Sequence, residues 1–334
     1  MLPWLTIGHA IALVYLGAQV PPRLAVDEQV LREYAGAYQW DQTHVVYLQV
    51  WAEFTGSNQL VAFDDTGEIR VLFPTDRDRF FTGPGIAVST ALESTVDFQR
   101  DRAGQIASLT WRREGGTTRT ARRATIERRD DVKFRSGEVQ LAGTLIRSAN
   151  ASGKLPAIVL VHGSGAQDRE YVLPLARVLI PHGVAILGVD KRGVGASTGD
   201  WNKASPDDLA GDVVAAVEYL KSRRDIDPTQ IGVLGWSQAG AVMPQAALRS
   251  KDIAFLIAVS CEPTPSLQKL QIPTLAILGE LDNDMPAGKN QKAWFEAKTG
   301  SNGDMKSLQR FAPAYLTTLQ EWAASHVRGY RATP

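Results

Sequence analysis

A serine flanked by small residues, Gly235-Trp236-Ser237-Gln238-Ala239-Gly240, follows the apolar run Ile231 to Leu234 and precedes a helix-compatible stretch, Ala241 to Arg249. A tight strand-to-helix turn of this kind lifts a hydroxyl above a sheet, where it can attack a carbonyl carbon. Gly235, Ala239 and Gly240 must be small because such a turn crowds its own backbone, and Ala239 stands where glycine is more frequent. A second cluster, Val161-His162-Gly163-Ser164-Gly165, ends the apolar run from Ala157. Its glycines let backbone amides turn toward the serine. The Ser164 amide, alone or with that of Gly163, and the Gln238 amide would then form an oxyanion hole, and such donors usually contribute most to the acceleration of acyl transfer. His162 is expected to pack this loop rather than to serve as base.

These residues need a parallel sheet beneath them, and the second half of the chain supplies the pattern for one. Apolar runs at Ala157–Val161, Val184–Val189, Ile231–Leu234, Ile253–Val259 and Thr274–Leu278 alternate with helical stretches. Strands covered on both faces read as continuous apolar runs, and their alternation with helices indicates a doubly wound α/β sheet. Pro206-Asp207-Asp208-Leu209 opens a helix with Leu209, Val213, Ala216, Val217 and Leu220 on one face, and a further helix is expected from Pro174. A hairpin over 132–149 leads in.

Residues 27–128 read differently. Short runs such as Val45–Val50, Gln59–Phe63, Ile69–Phe73 and Ile106–Trp111 recur between turn residues, which predicts a small antiparallel sandwich or barrel. This domain carries no nucleophile beside a base, so it is expected to fold separately and to be inert. His44 stands alone in it. The domain plan is therefore an apolar segment at 1–25, a β domain at 27–128 and an α/β domain at 130–330. Leu5 to Val20 has the character of a signal-peptide core, with a cut after Ala18 or Ala25, although no Lys or Arg precedes it. Export is the expectation and a cytoplasmic protein with an apolar start is the alternative. The segment is too short and interrupted for a stable membrane span.

Composition narrows the partners. The 334 residues carry 36 basic and 36 acidic side chains, a formal net charge of zero, which argues against nucleic acid or an anionic membrane surface as partner. The one cysteine, Cys261, excludes an internal disulfide and reads as a buried structural thiol. No cluster of His, Cys, Asp or Glu has metal-ligand spacing, and the chemistry above needs neither metal nor cofactor.

The stretch Gly188-Val189-Asp190-Lys191-Arg192-Gly193-Val194-Gly195-Ala196-Ser197-Thr198-Gly199, the Ile226-Asp227-Pro228 lead-in, the Ser237 motif, and Ile272-Pro273-Thr274 through Gly279-Glu280-Leu281-Asp282 together resemble bacterial α/β-hydrolases of the serine-esterase and dienelactone-hydrolase-like type. The resemblance runs over residues 130–286, and the opening Leu31 to Tyr38 resembles β-barrel domains appended to such enzymes. It implies Ser237 as nucleophile and Asp282 as triad acid, with Asp284 as the local alternative. Asp190 and Arg192 would brace the loop beside the site.

One part of that pattern is broken. The family's triad histidine follows one more strand, yet 285–309 holds no apolar run and no histidine, and Lys292 stands about where the histidine is expected. His182 falls at the wrong edge of the sheet. His326 is the one histidine after Asp282, near the end of a helix over Ala314 to Val327 with Tyr315, Leu319 and Trp322 on its face. At the rise of an α-helix it lies roughly 18 Å from the end nearer the site, so it is a weak candidate for the base. The link Ser260 to Leu270 is too short for a lid helix, so the site should be open or covered by the β domain. Three readings follow: a serine hydrolase of carboxylic or thiol esters working slowly through acyl-Ser237, a catalytically reduced relative that binds small ligands, or a short-peptide peptidase. Their oligomeric state is left open.

Overall fold

A computed structural model describes residues 22–42, 44–52, 57–64, 69–84, 87, 89, 91–277 and 313–331. Most of the apolar start, Asp282, Asp284, Lys292 and the stretch 285–309 lie outside these residues.

The first half is a closed eight-stranded antiparallel barrel: β1 (Gly36–Gln39), β2 (Val45–Trp51), β3 (Gln59–Asp64), β4 (Ile69–Asp76), β5 (Arg79–Thr82), β6 (Ser94–Arg100), β7 (Ile106–Arg113) and β8 (Thr118–Ala124). Pairing of β1 with β8 closes it. Leu31 and Tyr34 of the short helix α1 (Glu28–Tyr34) join Tyr38, Leu48, Leu72 and Phe80 in the barrel interior. β2 is buried on both faces, which is why its run Val45-Val46-Tyr47-Leu48 does not alternate. Val46 and Leu48 fill the interior, while Val45, Tyr47 and Trp51 belong to a core shared with the second sheet. β8, whose outer face meets solvent, buries Ala121 and leaves its arginines exposed.

The second sheet has seven strands in the order β15-β14-β13-β11-β12-β10-β9. They are β9 (Glu127–Ser136), β10 (Val139–Ser148), β11 (Leu155–Val161), β12 (Ala185–Val189), β13 (Ile226–Trp236), β14 (Ile253–Val259) and β15 (Thr274–Ile277). The hairpin β9–β10 joins antiparallel to β12, and the remaining pairs are parallel. α2 (Pro206–Lys221) starts at a capping box in which Ser205 and Asp208 bond each other's amides. It packs with α3 (Ala239–Arg249) on one face of the sheet through Leu209, Val213, Val217, Val242 and Met243. The other face is covered by α4 (Pro313–His326), by the segment 172–180 and by the outside of the barrel. The doubly wound α/β class and the antiparallel domain before it are thus present.

Two sequence expectations change. The helix from Pro174 is replaced by two short 3-10 turns, Leu173–Leu175 and Arg177–Leu179. Leu173, Leu175, Ala176, Val178, Leu179 and Ile180 are all buried, so this segment has no polar face from which a helical period could arise. The second change is that α4 ends at His326, one residue earlier than expected. On the outside of the barrel, Tyr47, Val61, Phe63, Val71 and Phe73 are buried in the core that also holds Ile158, Leu160 and Trp322. Among the described residues no helix is long and apolar enough to cross a membrane.

Candidate active site

β13 ends at Trp236, α3 begins at Ala239, and Ser237 occupies the turn between them with φ of +53°. A non-glycine residue in this region is held against a cost of about 1–3 kcal/mol, and such strain clusters at functional sites. Ser237 and Gln238 are exposed while the residues on either side are wholly or partly buried. The need for small neighbours is literal: a Cβ at Gly235 would lie 2.4 Å from the Ala239 Cβ and 2.8 Å from the Val161 carbonyl oxygen. The Ser237 N–H donates to the Val259 and Ser260 carbonyls, each at 3.2 Å, which ties the turn to the end of β14. The Gln238 amide stands at the N-terminus of the 11-residue α3, where unpaired amides and the helix dipole favour a negative charge.

The loop after β11 faces this turn. A Cβ at Gly163 would fall 2.4 Å from the Trp236 indole nitrogen, so glycine lets the loop close over the indole. The Gly163 N–H donates to Gln167 Oε1 at 2.9 Å. This bond competes with the role of oxyanion donor expected of Gly163. Among the described residues nothing takes the Ser164 N–H, and Ser164 is exposed. Gln167, which fixes this choice, had no signal in the sequence.

The segment after β12 supports the loop from behind. Asp190 is buried, and burial alone would raise its pKa. Bonds from the Arg169 guanidinium and from the Ala196 and Arg169 amides outweigh that and hold the carboxyl below its usual range. Arg192 binds Asp212 of α2 with two bonds of 2.7 and 2.8 Å. Both residues brace the loop. Lys191 between them, which carries no signal in the sequence, is 5% exposed. Its Nζ donates to the Gly163 carbonyl at 2.7 Å, the Gly165 carbonyl at 3.1 Å and Gln238 Oε1 at 3.0 Å. Burial pushes its pKa down to about 8.

The described histidines are engaged elsewhere. His162 sits behind the loop with Nε2 3.2 Å from the Asp168 carbonyl, and burial together with the Lys191 charge pushes its pKa down to about 4. His182 Nδ1 is 2.7 Å from the Arg331 carbonyl, and its ring stacks on Tyr330. His326 Nδ1 lies 3.0 Å from the Trp322 carbonyl with its ring stacked on Trp322. His44 pairs with Asp41 in the barrel. No hydrogen bond among the described residues joins an imidazole to Ser237. Cys261 is fully buried beneath the turn, and burial raises its thiol pKa to about 12.

The barrel reaches this site. Trp51 at the end of β2 lies 6.5 Å, centroid to centroid, from Trp236, and Tyr171 lies 6.3 and 6.4 Å from the two indoles. Gln49 Nε2 donates to the Glu170 carbonyl at 2.9 Å. Between β14 and β15 the chain makes one 3-10 turn, Pro265–Lys269, and no lid helix.

A doubly wound sheet with a strained serine on a strand-to-helix turn, facing a glycine loop, is the arrangement of α/β-hydrolases. The alpha/beta hydrolase family model matches residues 158–334, more than half of the chain, and the chain belongs to that family. Esterase EstD of Thermotoga maritima is 28% identical over 193 residues, covering 55% of this chain and 45% of that protein. Thiohydrolase aneE of Aspergillus aculeatus is 35% identical over 106 residues, covering 31% of this chain and 33% of that protein. The chain thus spans less than half the length of either relative. Dienelactone hydrolase from Anabaena variabilis shares the fold at a TM-score of 0.50 and 22% identity, over 61% of this chain and all of that one.

Proposed function

We propose that the protein is a serine hydrolase that cleaves small carboxylic or thiol esters through an acyl-Ser237 intermediate. The observation that carries this reading is the positive φ of the exposed Ser237 on its strand-to-helix turn. The names of EstD and aneE, an esterase and a thiohydrolase, agree with the substrate class. In the proposed reaction Ser237 Oγ attacks the carbonyl carbon, and the Ser164 and Gln238 N–H groups receive the oxyanion. The alcohol or thiol leaves with the serine proton, and water then releases the acid and restores Ser237. Asp282 is assigned the role of triad acid by resemblance alone.

The base is the weak part of the machinery. With every described histidine engaged elsewhere, turnover is expected to be slow, and a ligand-binding relative is the second reading that this observation favours. Oxyanion hole and binding alone sustain a residual acceleration of about 10³–10⁴ over water. Turnover of short p-nitrophenyl esters separates the readings. The hydrolase reading expects low but saturable activity that Ser237→Ala abolishes with the fold intact. Equal rates in parent and variant remove Ser237 from the reaction.

A further inference from the structure

We propose that Lys191 is a positioning residue that sets the oxyanion hole by holding the Gly163 and Gly165 carbonyls on one side of the loop and Gln238 on the other. The inference rests on the serine-hydrolase reading for its catalytic consequence, though not for its geometry.

A trans peptide is planar, so its C=O and the N–H of the next residue point in opposite directions. The Gly163 carbonyl is drawn inward by Lys191 Nζ at 2.7 Å. The N–H in the same plane is that of Ser164, which is thereby turned away from the lysine, toward the exposed side of the loop. The Gly163 N–H on the preceding plane is taken by Gln167. The lysine and the glutamine together leave the Ser164 N–H as the donor this loop can present.

Lys191 also ties the two halves of the hole together. Its three ammonium protons match three acceptors: two carbonyls of the loop after β11, and Gln238 Oε1 from the residue that follows the nucleophile. The lysine makes no ion pair among the described residues and is 5% exposed, so its charge is kept in place by carbonyl and amide dipoles. The Trp201 ring, 5.5 Å from Nζ, covers it from outside. In its protonated form, with all three protons donated to these acceptors, Lys191 has no lone pair with which to take a proton from Ser237. What it can do is fix where the amides of two separate segments point, and add a positive charge behind the position of the oxyanion. A structural salt bridge on the surface would do neither.

The test reads the rate of fluorophosphonate labelling of Ser237 and the backbone hydrogen exchange of residues 162–168, in the full chain, for the parent, Lys191→Met and Lys191→Ala. Loss of one oxyanion donor costs about 10²–10³ in rate. Misdirecting one should slow labelling in Lys191→Met by about ten- to a hundredfold. Exchange over 162–168 should rise while the barrel strands are unchanged. Methylammonium should speed labelling of Lys191→Ala, because it restores N–H donors in the space left by the side chain, and tetramethylammonium should not. A folded Lys191→Met that labels within about twofold of the parent overturns the proposal, since true removal of a rate-setting group is far larger. Should Lys191→Met lose its near-UV dichroism, the amine comparison on Lys191→Ala decides, and equal effects of the two cations overturn the proposal. A parent that takes no label at Ser237 overturns the hydrolase reading instead. The exchange measurement then decides the positioning alone, because it needs no chemistry at Ser237: unchanged exchange over 162–168 refutes it.

Discussion

The chemistry assigned to Ser237 depends on what surrounds it, and the surroundings differ in how far spacing could reveal them. The nucleophile candidate, its small neighbours and the facing glycine loop were legible because a crowded turn admits few residue types. Gly235, with 2.4 Å to the Ala239 Cβ, shows the constraint directly. Lys191 and Gln167 were not legible. A lysine in a glycine-rich loop reads as a solvated charge, and only the fold shows that three acceptors enclose it. His162 was legible as a packing residue, and its environment gives a pH prediction. Burial and the Lys191 charge put its native pKa at about 4, against 6.5 unfolded. Between those values the unfolded chain holds the extra proton, so stability rises with pH across that window and is lost as pH falls from 6.5 toward 4. The difference amounts to roughly 3 kcal/mol. Urea unfolding of parent and His162→Gln at pH 4.5 and 7 should show the parent losing more stability on acidification. Equal losses in the two proteins would contradict the burial argument.

The elements that position the site follow continuous apolar runs, and β11, β13 and β14 lie where those runs fall. What pattern could not show is an element buried all round. The segment 172–180, pressed between the sheet and the barrel, has no polar face, so its sequence carries no period that separates 3-10 turns from a helix. α4 raises the opposite question, because its histidine was a candidate base. His326 is bonded to its own helix through the Trp322 carbonyl and stacked on that tryptophan at 4.5 Å. Trp322 in turn is buried against Phe255. A general base must come within about 3 Å of the serine hydroxyl, directly or through one water. His326→Ala should accordingly change ester turnover by less than about tenfold, whereas loss of a true triad histidine costs on the order of 10⁶. A thousandfold loss would mean that the C-terminal helix delivers the base after all.

At the scale of the whole molecule, the barrel and the hydrolase sheet are joined by a common core. The turn spacing of the first half announces a separate β domain. The warning against independence was also there, in the unalternating Val45 to Leu48, but an apolar run of that length does not say what covers it. The outer residues Tyr47, Val61, Phe63, Val71 and Phe73 need the second domain, and each costs about 1.5–3 kcal/mol when its side chain is left in water. Residues 27–128 expressed alone should therefore be insoluble or dye-binding rather than cooperatively folded. A soluble fragment with a sharp unfolding transition would show that the shared core is dispensable. Trp51 against Trp236 gives this junction a place beside Ser237, where the link between β14 and β15 carries a 3-10 turn rather than a lid helix. Whether the assembled molecule uses Ser237 as its nucleophile is decided most directly by incubating the full chain with a fluorophosphonate and mapping the adduct by peptide mass spectrometry. A single adduct on Ser237, absent in Ser237→Ala, is the expected result. A parent that stays unlabelled, or carries its adduct on another residue, would contradict the assignment.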